Sequence, residues 1–68
     1  MSGWKNSDTV IATQTVEAER KKFEISLRQN AGGRFVRVTE ESKGRFNTVI
    51  IPEESLQDFM GAVSGLFP

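Results

Sequence analysis

Between residues 22 and 40 polar and apolar side chains alternate with a period of two, the spacing of strands that keep one face in water. In Lys22–Arg28, Phe23, Ile25 and Leu27 fall on one face, with Lys22, Glu24, Ser26 and Arg28 on the other. In Arg34–Glu40, Val36 and Val38 face the core while Phe35, Arg37 and Thr39 face out, because the opposite phase would turn Arg37 inward. Gln29-Asn30-Ala31-Gly32-Gly33 lies between the two runs. Asn and Gly tolerate the positive φ of a tight turn, so a β-hairpin is predicted. Upstream, Thr9–Glu17 is rich in β-branched residues and free of Gly and Pro, which favours a further strand although its alternation is poor. Downstream, Glu41-Ser42-Lys43-Gly44 reads as a second turn and Phe46–Ile51 as a fourth strand, with Phe46 filling the core at an edge.

Pro52 closes that strand and suits the first position of a helix, and Glu53 and Glu54 follow where the positive end of the helix dipole favours carboxylates. Leu56, Phe59, Met60, Val63, Leu66 and Phe67 then recur at helical spacing as one apolar stripe. Gly61 and Gly65 weaken the helix interior and leave room for another backbone to pack closely. The predicted fold class is α+β: a four-stranded antiparallel sheet followed by one C-terminal amphipathic helix. Residues 1–7 form an expected loose leader in which Trp4 has no assigned role, and residues 8–68 a single domain.

Length and composition narrow this picture. A chain of 68 residues buries only about 60% of the surface that its unfolded form exposes, so its core is marginal alone. Cysteine and histidine are both absent, which excludes disulfides, Cys/His zinc sites and His-dependent catalytic dyads. Oligomerisation is the remaining stabilising route, and a homodimer is expected. No cofactor, metal or small-molecule substrate is called for, and no spacing brings a nucleophile to a base, so an enzyme is not expected. No apolar run reaches the roughly 18 residues of a membrane span and the first residues lack a secretory signal, so the expected location is cytoplasmic, with nucleoid or nucleus as variants.

Net charge is zero, but it is an average over unlike parts. From Arg20 to Arg45 there are eight cations and three anions. Both flanks are acidic, with Lys5 against Asp8, Glu17 and Glu19 before that segment, and Glu53, Glu54 and Asp58 after it. A basic sheet face with an outward aromatic suits single-stranded nucleic acid: cations follow phosphates, and a ring such as Phe35 stacks on a base for about 1–3 kcal/mol.

The stretch Lys21-Lys22-Phe23-Glu24-Ile25-Ser26-Leu27-Arg28-Gln29-Asn30-Ala31-Gly32-Gly33-Arg34-Phe35-Val36-Arg37-Val38 resembles the signature of a PUR repeat, the unit of the Pur-alpha family. The likeness runs from about Val10 to Leu66 and includes Gly44-Arg45 before the fourth strand and Ile51-Pro52 before the helix. It implies a whirly-like fold, binding of purine-rich single-stranded DNA or RNA, and intertwining of two repeats by exchange of helices. Since this chain has one repeat, the resemblance also implies a homodimer. Residue by residue, Arg28 and Asn30 match the basic and amide positions of the binding hairpin, Arg37 the basic position on the next strand, and Lys21 a basic position before the second strand. With Arg34, Phe35 and Arg45 these make up the expected nucleic-acid-binding set. Two positions depart from the family: Glu24 stands where an aromatic is expected, and Ala31 replaces a basic hairpin residue. Two alternatives are a protein-interaction or structural dimerisation module centred on the helix stripe, and the whirly-like architecture of the positive-cofactor coactivators, which share this element order and also bind single strands.

Overall fold

In the computed structural model, residues 8–68 are described; the expected leader, residues 1–7, lies outside them. Four strands, β1 (Thr9–Glu17), β2 (Lys22–Asn30), β3 (Gly33–Ser42) and β4 (Arg45–Pro52), precede one helix, α1 (Glu53–Gly65). They form a single antiparallel meander in the order β1-β2-β3-β4, so the predicted fold class holds. Both inner hairpins are tighter than the sequence suggested. Asn30 pairs with Gly33 across Ala31-Gly32, and Ser42 with Arg45 across Lys43-Gly44. At the second turn Lys43 and Gly44 have φ of 54° and 78°. Two consecutive positive φ values are the mark of a type I′ turn, whose twist matches that of the strands it joins.

The register assigns every side chain to a face. Leu27 pairs with Val36 and Ile25 with Val38, and these in turn with Ile51 and Val49 on β4, so the apolar sets of three strands lie on one side. The helix packs there, against β3 and β4. Strand β1 explains its own poor pattern: the pairing shifts between Val10 and Ala12, and Ile11 is the extra residue of a bulge. A bulge inverts the phase of alternation. Val10 therefore lies on the face of its partner Arg28, while Val16 lies with Phe23 on the helix side. Pro52 sits one position earlier than expected, outside the helix as its N-cap, with extended backbone (φ −60°, ψ 148°). As the last residue of β4 it has no N–H to withhold from a ladder that ends there.

The core is thin. Among the described residues the buried ones are Ser26, Val36 and Ile51, and no residue of the helix is buried. Phe46, expected as core filler, is instead 64% exposed, because its register opposite Glu41 turns it away from the helix. Gly61 and Gly65 have no neighbour within 4 Å of where a Cβ would sit, so the chain's own sheet does not use the room they leave. No described helix is long and apolar enough to cross a membrane.

The second turn offers a direct check. Gly44→Val forces a β-branched residue into the left-handed region and should lower stability by about 1–2 kcal/mol. Lys43→Asn, a residue that accepts positive φ, should leave it unchanged or raise it by a few tenths of a kcal/mol. Urea midpoints at unchanged slope measure both.

Candidate nucleic-acid interface

The sheet face opposite the helix carries no covering element among the described residues, and the register arranges its side chains in rows. Val10, Arg28, Phe35 and Pro52 form the row nearest the Ala31-Gly32 turn, and Thr13, Ser26, Arg37 and Ile50 the next. Arg28 donates from Nε to Ser26 Oγ at 2.9 Å, which lays its guanidinium along the sheet and helps bury the serine to 2% exposure. Only one of the five donors of the Arg28 fork is needed for that bond. Arg37, the cross-strand partner of Ser26, has its Nε buried with no hydrogen-bond partner among the described residues. A buried donor without an acceptor is costly, so this Nε is a point of strain in the face.

Beside these two cations is a shallow depression of about 460 Å³ lined by Asp8, Asn30, Phe35, Arg37, Ile50 and Pro52, together with Gly32 and Gly33 of the hairpin. Its lining mixes apolar Phe35, Ile50 and Pro52 with polar Asp8, Asn30 and Arg37. Phe35 offers a ring on which a base could stack, with Ile50 and Arg37 beside each other across β3 and β4. Gly33 has a positive φ (129°), a conformation that side chains disfavour.

The seven residues expected to bind divide between the two faces. Arg28, Phe35 and Arg37 share the open face, and Asn30 lies at its rim. Asn30 also shapes the turn itself, because its Oδ1 accepts from the Gly32 N–H at 2.8 Å, while its Nδ2 lies 3.5 Å from Asp8 Oδ1. Lys21, Arg34 and Arg45 are elsewhere. Lys21 pairs at 2.6 Å with Glu40, whose register puts it on the helix side. Arg34 is on that side too and forms an ion pair with Glu53, the first residue of the helix, tying hairpin to helix. Arg45 pairs with Ser42 and shares a groove with Glu40 and Asn47. Sequence reading did not single out Ser26, Ile50, Pro52 or Asp8. The β4 alternation carried the signal for Ile50, and only the pairing of β4 with β3 places it beside Arg37.

No family model matches the chain, and no solved structure does. It is 28% identical over 54 residues, 79% of its length, to the transcription factor Pur-alpha 1 of Arabidopsis thaliana. The chain spans 18% of that protein's length.

The two ion pairs on the helix side have a pH signature. The Arg34 guanidinium, through its hydrogen bond, holds the Glu53 carboxyl below the usual carboxylate range, and Lys21 does the same to Glu40, with Asn47 assisting. A carboxyl whose folded pKa is depressed adds stability above its unfolded pKa of about 4.3 and loses it as pH falls through the folded value. Urea midpoints should therefore be flat from pH 7 to about pH 5 and fall below about pH 4.3. In Glu40→Gln/Glu53→Gln that acid limb should be shallower.

Proposed function

We propose that the chain is a PUR-type repeat that binds single-stranded, purine-rich DNA or RNA on its open sheet face and works as a homodimer through the opposite face. The observation that carries this reading is the juxtaposition of Arg28, Phe35 and Arg37 on one uncovered face, with the Arg37 Nε buried and unpaired among the described residues. Two guanidinium groups flanking a ring supply what single-strand binding needs: charge for the phosphates and a flat surface for a base. The similarity to a plant transcription factor of the Pur-alpha name agrees with it, as does the resemblance of the hairpin to the PUR signature. Binding, rather than catalysis, fits a face whose hairpin half carries Arg28, Arg37 and hydroxyl groups, in a chain without histidine or cysteine.

Dimerisation is supported by what the single chain leaves uncovered. The helix packs on β3 and β4, so the same side of β1 and β2, with Ala12, Val16, Phe23 and Leu27, lacks a covering helix. The helix in turn exposes Phe59, Met60 and Val63, and Leu66 and Phe67 follow it at 77% and 72% exposure. A purely apolar cavity of about 360 Å³ remains between Ile25, Val36, Val38, Ile51 and Leu56, Phe59, Met60. A second helix laid under β1 and β2 covers both apolar surfaces at once, and its mate from the first chain does the same in return. The two functions use opposite faces and do not compete. A dimerisation module without nucleic-acid binding is the second reading, favoured by the same apolar surface, and an oligonucleotide titration separates them.

Fluorescence anisotropy with a labelled purine-rich 12-mer should show binding that weakens with salt, with a log–log slope of about −0.7 for each phosphate neutralised. Arg28→Ala and Arg37→Ala should each make the slope shallower by about 0.7, and Phe35→Ala should weaken binding by about 1–3 kcal/mol with the slope unchanged. Binding absent at low salt, or indifferent to salt, leaves the dimerisation reading. Sedimentation should give twice the chain mass at micromolar concentration, and Phe59→Ser/Val63→Ser should shift it toward the single chain.

A further inference from the structure

The open face continues past Arg28 and Arg37 toward the other ends of the strands, and there its chemistry changes. The third row is Thr15, Glu24, Thr39 and Thr48, and the fourth is Glu17, Lys22, Glu41 and Phe46. Lys22 is the one lysine in these four rows. Its two cross-strand partners are both carboxylates, Glu17 on β1 and Glu41 on β3, and Glu24 lies two residues along on the same face. Directly opposed side chains in an antiparallel sheet have Cβ atoms about 5 Å apart and opposite charges on them attract. Among the described residues Lys22 closes no ion pair within 4 Å, so this attraction acts through space rather than through a formed bridge. Lys22, Glu24, Glu41, Thr39 and Phe46 together enclose a pocket of about 200 Å³. Beyond the strand ends, Arg20, Lys21, Lys22 and Lys43 border a depression with Glu17, Glu19 and Glu41; Lys21 is paired with Glu40, which leaves three cations facing three carboxylates. By contrast, Arg28 is flanked by Val10 and Phe35, and Arg37 by Ser26 and Ile50.

We infer that Glu24 and Glu41 set the end of the nucleic-acid track by neutralising Lys22, confining the strand on each chain to the hairpin half of the open face. This rests on the single-strand reading above and adds specificity residues to it. A phosphate approaching Lys22 meets up to three carboxylates within one row of it, and the net local charge of those four side chains is negative. Arg28 and Arg37 have no carboxylate as a direct cross-strand neighbour; Glu24 lies one row from Arg37 and Asp8 lines its depression, whereas Lys22 has a carboxylate directly opposite on both sides as well as Glu24 one row away. The aromatic Phe46 at 64% exposure shows that a stacking surface exists at the far end as well. What that end lacks is uncompensated positive charge, and the carboxylates are the reason. Each copy then grips a short stretch of strand.

The test uses the full chain and the same purine-rich 12-mer. Lys22→Gln should leave both affinity and salt slope as in the unsubstituted chain. Glu24→Gln/Glu41→Gln keeps side-chain shape and should tighten binding by about two- to threefold for each carboxylate removed. It should also steepen the salt slope by about 0.7 as Lys22 becomes a phosphate contact. Adding Lys22→Gln to that double variant should return the slope to its starting value. Thermal melts confirm that each variant is folded, and Glu24→Gln alone, on the exposed face, serves if the double variant is not. A loss on Lys22→Gln comparable to that of Arg28→Ala, or a double variant with unchanged slope, overturns the inference while leaving single-strand binding intact. An unsubstituted chain that does not bind at low salt overturns the single-strand reading itself, and this inference with it.

Discussion

The turn at Ala31-Gly32 decides where every functional side chain goes. Two residues between Asn30 and Gly33 fix the pairing of β2 with β3, and side-chain direction in a strand has a period of two. One residue more or fewer would send Arg28 to the helix side relative to Phe35 and would put Arg37 opposite Leu27 or Ile25, both of the apolar face. The Asn30 Oδ1 bond to the Gly32 N–H and the positive φ at Gly33 are the local means by which that register is held. From it follow the apolar ladder of Ile25, Leu27, Val36, Val38, Val49 and Ile51 on one side, and the row of Arg28 and Phe35 on the other.

A sheet of this size with one helix under half of it cannot complete a core. Val36 and Ile51 are its buried apolar residues among those described, and the helix contributes none. Ion pairs at the rim tie hairpin to helix (Arg34 with Glu53) and the β1–β2 connection to β3 (Lys21 with Glu40), but both are solvent-accessible and pairs of that kind contribute little. The larger reserve of stability is the apolar area of the helix and of the β1–β2 underside, which a second copy covers in the proposed dimer. The same division of labour leaves the opposite face open, with Arg37 carrying an unpaired buried donor, among the described residues, that costs stability.

Much of this was legible in the sequence. Strict alternation from residue 22 to 40 gave β2, β3 and the facing of Phe35 and Arg37, and the Pro52-Glu53-Glu54 run located the helix to within one residue. The fold class needed nothing more. What escaped the sequence was of one kind: information carried by pairing between strands. The bulge at Ile11 scrambled the pattern of β1, the partner of Phe46 turned it outward, and the neighbours of Arg34 and Lys21 drew those cations to the helix side. Counting positive charges along the chain gathered eight in one segment. Only the register distinguishes Arg28 and Arg37, flanked by neutral side chains, from Lys22, ringed by carboxylates.

The central claim is that one face of the sheet binds single strands and the other face does not. An NMR titration of the uniformly ¹⁵N-labelled chain with the purine-rich oligonucleotide tests it most directly, since arginine Nε–H groups report alongside the backbone. Shifts of the Arg28 and Arg37 Nε–H signals and of backbone amides from Arg28 to Arg37, with the helix and Arg34 Nε–H unmoved, are the predicted result. Shifts centred on α1 or on Arg34, or none at saturating oligonucleotide, would contradict it.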